Sequence, residues 1–357
     1  MHSAVTHCKT SIFSLGCDLK LTEVINVKDL TLTYADGTKA VQGISFSVNE
    51  GEFFGFLGPN GAGKSTTIKV LTTLLHKTAG EASVAGMDIE RDAREIRKVI
   101  GVQSQETSLD PELTGRENMI LEGHLQQMRG KELEDRVDSL LSVVGLKDAA
   151  DKRAGRYSGG MKKRLDLATV LVHKPKIMFL DEPTTGLDPQ SRAGVWDYLE
   201  ELNKKEGITI FLTTQYLEEA DRLCQRLCIV DGGKIVAQGT PAELKAEIGA
   251  DAITITMKDL QGKSDDSVRT KARQIIQKLQ NVSDVVDSGD GLTIYARDGG
   301  YFIPDLVRAF DKTDIKLVSI NLSTPTLDDV FLRHTGKRIR VEELQKQVPS
   351  MFARGRR

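Results

Sequence analysis

Cysteine is scarce in this sequence, with four residues in 357. So few cysteines provide no disulfide framework. Cys224 and Cys228 are close together, but no second cysteine or histidine pair follows at a matching spacing, which argues against a structural zinc site. An excess of charge is also lacking, because the formal net charge is −2. A nearly neutral chain gives no reason to expect nucleic acid as a partner.

Long apolar runs are missing as well. The best candidate, residues 167–180, is interrupted by His173, Lys174, Pro175 and Lys176. No run therefore approaches the length that spans a bilayer, and any membrane pore must be supplied by another polypeptide. A length of 357 residues exceeds what one core normally needs, so we expect two domains.

Residues 58–65, Gly-Pro-Asn-Gly-Ala-Gly-Lys-Ser, fit the phosphate-binding pattern G-x-x-x-x-G-K-[ST]. The apolar residues 53–57 predict a buried strand before the loop, and residues 65–75 predict a helix after it. Glycines let main-chain amides approach a polyphosphate, and the helix N-terminus adds positive potential. Lys64 would hold the β- and γ-phosphates, and the Ser65 hydroxyl would bind magnesium. A glycine-rich turn with a chance lysine is the alternative, but the spacing and flanks favour a nucleoside triphosphate site. The predicted nucleotide contacts are Gly58, Pro59, Asn60, Gly61, Ala62, Gly63, Lys64, Ser65 and Thr66.

A second anion site is predicted where Ser158, Gly159 and Gly160 open a helix over residues 161–173. Ser158 suits the N-cap, and the glycines expose the first amides of the helix. Alone, this pattern would indicate an ordinary capped helix. It is followed at once by an apolar strand that ends in Asp181 and Glu182.

Together these motifs resemble the ATPase subunits of ATP-binding-cassette (ABC) transporters, over about residues 23–336. The resemblance implies an α/β fold of the P-loop NTPase class, with a RecA-like core, an antiparallel β subdomain and a helical subdomain. It implies that Asp181 acts on Mg²⁺, usually through water, and that Glu182 is the general base for the attacking water. It also places Asp188 in the D-loop, a nucleotide-contacting segment.

Two further positions follow from the resemblance. Tyr34 stands where the family has an aromatic residue that stacks on adenine; a tyrosine that fills a sheet face is the alternative. Gln105 matches the Q-loop glutamine, which contacts magnesium and senses the membrane partner. Gln103 is the alternative residue for that role, because it lies only two positions earlier.

Gln215 departs from the common family pattern, which has a histidine at this switch position. A carboxamide can donate a hydrogen bond to the γ-phosphate but cannot carry the charge of an imidazolium. Lys64, magnesium and Glu182 remain, so the predicted site persists. Gln215, the Tyr-Ser-Gly-Gly-Met motif at 157–161 and the segment 325–331 together resemble the daunorubicin-resistance branch of drug exporters.

Four segments are predicted along the chain. Residues 1–22, which show no convincing signal peptide, are expected to be a disordered extension or the result of a start chosen too far upstream. Residues 23–248 form the ABC ATPase domain. Residues 250–336 form a small α+β accessory domain whose βαββαβ pattern indicates a ferredoxin-like fold. Residues 337–357 form a basic tail, which is either solvated or in contact with anionic lipids.

The resemblance implies a transport motor. Two copies would close around two ATP molecules, each held between Lys64 of one copy and Ser158 of the other, and hydrolysis would drive a separate ABC-2 type transmembrane permease. This places the chain at the cytoplasmic face of the membrane as a peripheral subunit that exports a drug, antibiotic or other hydrophobic compound. The alternative is a non-transport cassette ATPase acting on DNA or ribosomes. The first type carries a long coiled coil after the P-loop and the second carries two cassettes, and neither feature is found here.

Overall fold

The computed structural model describes residues 22–105, 107–248, 251–259, 266–289, 291–296, 299–311, 313–323 and 325–336. The predicted N-terminal extension, apart from Thr22, and the predicted basic tail lie outside the described residues. In these ranges the strands are β1 (Glu23–Thr33), β2 (Lys39–Asn49), β3 (Phe53–Leu57), β4 (Ala79–Val84), β5 (Met87–Asp88), β6 (Ile100–Gln103), β7 (Ile177–Asp181), β8 (Thr209–Thr214), β9 (Arg226–Asp231), β10 (Lys234–Gly239), β11 (Asp251–Asp259), β12 (Val282–Ser288), β13 (Gly291–Ala296) and β14 (Ile315–Ser323).

The helices in the same ranges are α1 (Lys64–Leu71), α2 (Ala93–Val99), α3 (Gly115–Leu125), α4 (Gly130–Val143), α5 (Gly159–Val170), α6 (Pro189–Glu206), α7 (Leu217–Leu223), α8 (Pro241–Ile248), α9 (Asp266–Ile276), α10 (Gly299–Phe310) and α11 (Leu327–Thr335). Two short 3₁₀ turns, Lys147–Ala149 and Ala154–Arg156, lie between α4 and α5.

The central sheet has the strand order β10-β9-β3-β8-β7-β6. Its inner strands pair in parallel, and β10 pairs antiparallel with β9. Strands β3, β7 and β8 are buried along their whole length, as expected for a parallel sheet covered on both faces. The carboxyl ends of β3, β7 and β8 therefore meet at one edge, where ligands of open α/β sheets bind.

A second sheet, in the order β2-β1-β4-β5, packs beside the central one. Five phenylalanines join the two sheets. The ring of Phe211 in β8 lies 5.6–5.8 Å from the rings of its four aromatic neighbours, a spacing typical of favourable aromatic pairs. These neighbours are Phe46, Phe54, Phe56 and Phe179. The cluster fixes the antiparallel sheet against the strand that leads into the phosphate loop.

The helical subdomain begins with α3, which opens on a capping box. The Thr114 hydroxyl accepts from the Glu117 amide at 3.1 Å, and the Glu117 carboxylate accepts from the Thr114 amide at 2.8 Å. In α4 the repeating apolar residues are buried as expected from their helical spacing. These residues are Leu133, Val137, Leu140 and Leu141.

Two helix bounds differ from the expected ones. Helix α1 ends at Leu71 rather than Leu75, because Thr73 has a φ of 63°, a left-handed conformation that stops a helix. Helix α5 begins at Gly159 rather than at residue 161. Ser158 is its N-cap, so both glycines lie in the first helical turn. The helix ends at Val170 rather than at residue 173. The three-residue turn that follows, before Lys174 at a φ of 55°, is the part misassigned to the helix.

The C-terminal region has the predicted βαββαβ order, from β11 through β14, in a four-stranded sheet ordered β12-β13-β11-β14. The sequence predicts helices α9 and α10 over residues 267–280 and 303–310; α9 ends four residues earlier than predicted, and α10 starts four residues earlier and ends at Phe310 as predicted. Helix α11 was not predicted as an element, although Thr326 and Asp329 form a capping box there. It packs on α8, and Phe331 joins the same hydrophobic cluster as Leu244.

Candidate functional site

The phosphate loop connects β3 to α1, and its shape depends on glycine. Gly63 has a φ of 98°, and a Cβ atom there would lie 2.4 Å from the carbonyl oxygen of Ala40. Gly61 has a φ of 79°, in the same left-handed region. Both positions favour glycine because L side chains rarely adopt these angles. The conformation of the phosphate loop therefore depends on the two glycines of the motif.

Lys64 is buried at the start of α1, with 4 % of its side chain exposed. Its Nζ donates to the carbonyl oxygens of Gly58 at 2.8 Å and Pro59 at 3.1 Å. The same Nζ lies 3.0 Å from Oε1 of Glu182, whose side chain is 6 % exposed. The predicted phosphate-binding charge and the predicted general base thus form one buried ion pair.

Two of the three predicted magnesium ligands are in contact. The Ser65 hydroxyl donates to Oδ1 of Asp181 at 3.0 Å, and the Thr213 hydroxyl donates to the same oxygen at 2.6 Å. Hydroxyl and carboxylate oxygens are the donors that Mg²⁺ prefers, so Ser65 and Asp181 fit this ion. When bound, Mg²⁺ would neutralise charge on the β- and γ-phosphate oxygens.

Gln105, the third predicted ligand, has an exposed side chain. In the described ranges, that side chain is not among the hydrogen-bond partners of Ser65 or Asp181, and only its main-chain carbonyl accepts a bond, from Lys163 Nζ at 3.5 Å. The alternative, Gln103, is 1 % exposed and donates to Asp166 at 3.0 Å. The side chain of Gln103 is therefore committed to the helical subdomain, whereas that of Gln105 is accessible to a ligand. The role of Gln105 stays a prediction.

Glu182 has a strained main chain. Its φ of 49° is uncommon for a residue with a side chain, and such strain costs about 1–3 kcal/mol. The Glu182 amide donates to the Thr213 carbonyl at 3.1 Å, and the Thr185 hydroxyl donates to Glu182 Oε2 at 3.2 Å. Lys64 holds one carboxylate oxygen and Thr185 holds the other, so the carboxylate has a defined orientation.

Gln215 follows the end of β8 and is 5 % exposed. Its side-chain oxygen is buried and has no hydrogen-bond partner in the described chain.

Tyr34 follows the end of β1; its ring is 38 % exposed, and its hydroxyl lies 3.0 Å from that of Thr66. The ring is thus next to the phosphate loop and open to solvent. The sensor role of Gln215 and the stacking role of Tyr34 remain predictions.

Ser158 and Asp188 both cap helices at the surface. The Ser158 hydroxyl accepts from the amide of Met161 at 3.3 Å, and Asp188 accepts from the amide of Ser191 at 3.0 Å. Hydrogen bonds from Ser191 lower the pKa of the Asp188 carboxyl. Gly160 lies against Ser191, because a Cβ on this glycine would be 2.7 Å from the serine hydroxyl. The exposed caps adjoin each other, whereas Lys64 and its partners are buried.

Sequence reasoning missed Thr185 and Thr213, which hold Glu182 and Asp181. A signal for Thr213 was present in the sequence, because it lies just before Gln215 at the end of an apolar run. In the central sheet it is the neighbour of Asp181 across β7 and β8. Polar residues at the carboxyl ends of adjacent parallel strands are candidate site residues.

No helix in the described ranges is both long enough and apolar enough to cross a bilayer. Two family models match the chain: "ABC transporter" over residues 41–185, and "ATP-binding protein DrrA1-3-like, C-terminal domain" over residues 239–335. The second match begins at residue 239, before α8. It therefore includes both α8 and α11, which pack on each other.

Curated relatives match most of the chain. The daunorubicin resistance ATP-binding protein DrrA3 of Streptomyces coeruleorubidus is 42 % identical over 89 % of this chain and 98 % of its own length. The daunorubicin/doxorubicin resistance ATP-binding protein DrrA of Streptomyces peucetius is 40 % identical over 88 % of this chain and 93 % of its own. The Nod factor export ATP-binding protein I of Burkholderia lata is 41 % identical over 83 % of this chain and 92 % of its own.

Solved structures share the fold. CbiO1 from Clostridium perfringens, part of the ABC transporter complex CbiONQ, superposes with a TM-score of 0.58 at 31 % identity, over 63 % of this chain and 92 % of that one. A cassette in a dimeric post-hydrolysis state, bound to ADP and Pi, gives a TM-score of 0.56 at 27 % identity, over 60 % of this chain and 98 % of that one. The predicted fold class and family resemblance are confirmed: the chain is an ATP-binding subunit of the ABC transporter family, with relatives named for drug resistance and export.

Proposed function

We propose that the chain is the ATP-hydrolysing motor subunit of an exporter and that it acts with a separate ABC-2 type permease. The observation that carries this proposal is the buried constellation at the carboxyl edge of the central sheet. There, Lys64 contacts Glu182 at 3.0 Å and Ser65 contacts Asp181 at 3.0 Å. A phosphate-binding lysine, a metal-binding pair and a general base are the parts that phosphoryl transfer to water needs.

Each residue of the site has a separate role in this proposal. Lys64 exchanges its contact with Glu182 for the β- and γ-phosphates of ATP, which leaves the carboxylate free to accept a proton from the attacking water. Thr185 keeps the carboxylate oriented through Oε2. The Gln215 carboxamide donates to the γ-phosphate, which places a neutral donor where the common family pattern has histidine. Tyr34 stacks on the adenine.

Closure of two copies completes each site. Ser158 is exposed at the start of α5, and the first amides of that helix form an anion site. Ser158, Gly159, Gly160 and Asp188 of one copy face the ATP held by Lys64 of the other. A dimeric form with bound ADP and Pi is known for one cassette of this fold, which supports the same assembly here.

The permease docks in a groove between α3 and β6, which we call the α3–β6 groove. This cavity of about 340 Å³ lies next to the Q-loop and is lined by residues from both the central sheet and the helical subdomain. Leu74, which lines the groove, is 62 % exposed, and α3 also carries the exposed Leu125, at 69 %. Exposed apolar side chains near a concave surface support a protein-binding site there. The groove therefore offers the permease an apolar contact linked to the site through Gln105.

Export of a drug, antibiotic or other hydrophobic compound is the function that the names of the relatives support. Such a motor works at the cytoplasmic face of the membrane as a peripheral subunit.

The test is co-expression of the chain with its neighbouring membrane gene, followed by purification from membranes and measurement of ATP hydrolysis and cargo efflux. We expect the two subunits to co-purify and Lys64→Ala to abolish both activities. ATP hydrolysis that responds to DNA or ribosomes, with no membrane subunit retained, would instead support the non-transport ATPase.

A further inference from the structure

A buried carboxyl group lies outside the nucleotide constellation. Glu219 is fully buried in α7, four residues after Gln215. Burial raises the pKa of this carboxyl. An acidic group that loses all contact with water is costly unless it is hydrogen-bonded. A hydrophobic residue would fill the position at lower cost, so the contacts of Glu219 indicate what it does.

One oxygen of Glu219 accepts two hydrogen bonds. The Thr184 hydroxyl and the Trp196 indole N–H each donate to Oε1 at 2.8 Å. Thr184 belongs to the segment between Glu182 and Asp188, and Trp196 belongs to α6, which Asp188 caps. Glu219 therefore joins α7, the helix after Gln215, to the segment that precedes the D-loop and to α6, the helix that follows it.

A second contact joins the same elements. The guanidinium carbon of Arg192 on α6 lies 4.1 Å from the ring centroid of Tyr216, the residue that follows Gln215. A cation over an aromatic face at this distance is attracted to it. The charge of Arg192 also lowers the pKa of Glu219, against the larger effect of burial.

The contacts continue to the general base. Thr184 is fully buried, and the next residue, Thr185, donates to Oε2 of Glu182. Anchoring Thr184 on Glu219 fixes the main chain that presents Thr185. A change at Gln215 can therefore reach Glu182 through α7 and Glu219, and it can reach Asp188 through the same carboxyl.

We propose that Glu219 is a positioning residue that couples the γ-phosphate sensor to the general base and to the D-loop, and thereby makes the two ATP sites of a dimer cooperative. This inference rests on the proposed function. Glu219 does not touch the nucleotide; it acts through Thr184 and Trp196.

The test is a matched pair of substitutions at the anchored hydroxyl. Thr184→Val removes the donor but keeps the shape, whereas Thr184→Ser keeps the donor. For Thr184→Val we expect kcat to fall about tenfold or more, because the general base loses its alignment. The KM for ATP should change by less than about twofold, since Lys64 still binds the phosphates. The Hill coefficient should fall to about 1, as expected when two sites lose their coupling. Thr184→Ser should retain the kcat and the Hill coefficient of the parent.

Glu219→Gln provides a second measurement, because a carboxamide oxygen can accept the same two hydrogen bonds. Its rate and Hill coefficient should stay close to those of the parent, while Glu219→Met should behave like Thr184→Val. A Thr184→Val protein with the rate and cooperativity of Thr184→Ser would overturn the inference. The parent is measured in the same experiment, and an inactive parent would contradict the proposed ATPase function instead.

Discussion

The ammonium group of Lys64 lies 3.0 Å from Oε1 of Glu182, and both side chains are more than nine-tenths buried. The pair links the proposed phosphate-binding charge to the proposed general base. If both roles hold, ATP competes with Glu182 for Lys64. The carboxylate is then released when a phosphate takes its place, which discourages proton abstraction before the substrate is bound.

Glu182→Gln is expected to stop hydrolysis and to tighten ATP binding. The carboxamide cannot take the proton of the water, and it neither holds Lys64 as an ion pair nor repels the γ-phosphate. We expect a gain in affinity of about tenfold, equivalent to about 1.4 kcal/mol. Titration calorimetry with ATP measures it, with Glu218→Gln as a control on an exposed glutamate in α7. Weaker ATP binding by Glu182→Gln would show that the ion pair does not compete with the nucleotide.

Lys64→Ala should lose tight ATP binding while the protein remains folded. Removal of a buried, charge-assisted contact to phosphate should cost about 2–4 kcal/mol of binding free energy. Equilibrium binding of ATP measures this loss, and circular dichroism checks the fold. Near-normal affinity would disprove the assignment of the phosphate loop.

Gln215→Ala should reduce hydrolysis strongly and change ATP affinity little, because the sensor contacts only the γ-phosphate. Gln215→His should remain active, and its rate should fall as the pH rises through about 6 to 7, where an imidazolium loses its charge. The parent should lack this inflection, because a carboxamide does not titrate. Equal rates for Gln215→Ala and the parent, with the membrane partner present, would show that the carboxamide is not the sensor.

Leu74→Arg should weaken binding of the permease without affecting ATP hydrolysis by the isolated subunit. Leu74 is 62 % exposed at the α3–β6 groove, so arginine should be tolerated by the fold. Val318→Arg is the matched control, because Val318 is 57 % exposed on β14 of the accessory domain. Co-purification of the membrane subunit with each variant gives the comparison. Equal recovery with both variants would place the permease elsewhere.

The sequence was informative where the chemistry requires a particular residue at a particular spacing. Gly61 and Gly63 form the expected loop because its left-handed main-chain angles favour glycine, and Lys64 supplies its charge. A capping box such as the one at Thr114 can be recognised in a sequence because it depends on only four consecutive residues. The order of elements from β11 to β14 followed from the sequence pattern, whereas α11 was missed.

What remained hidden depends on contacts between distant segments. The anchoring of Thr184 by Glu219 joins residues 35 positions apart, one in the segment after β7 and the other in α7. Helix α1 ends at Leu71 because Thr73 adopts a left-handed main-chain conformation, which the helix propensities of the residues do not predict. The contact of α11 with α8 joins segments about 80 residues apart in the chain.

The most direct test of the proposed motor is ATP-dependent dimerisation. Glu182→Gln is run on a size-exclusion column with and without ATP and Mg²⁺, alone and combined with Ser158→Arg, which should fill the start of α5 without touching Lys64. The account predicts a monomer without nucleotide, a persistent dimer with ATP, and a monomer that still binds ATP when Ser158→Arg is added. A Glu182→Gln protein that stays monomeric with ATP bound, or a dimer that tolerates Ser158→Arg, would contradict it.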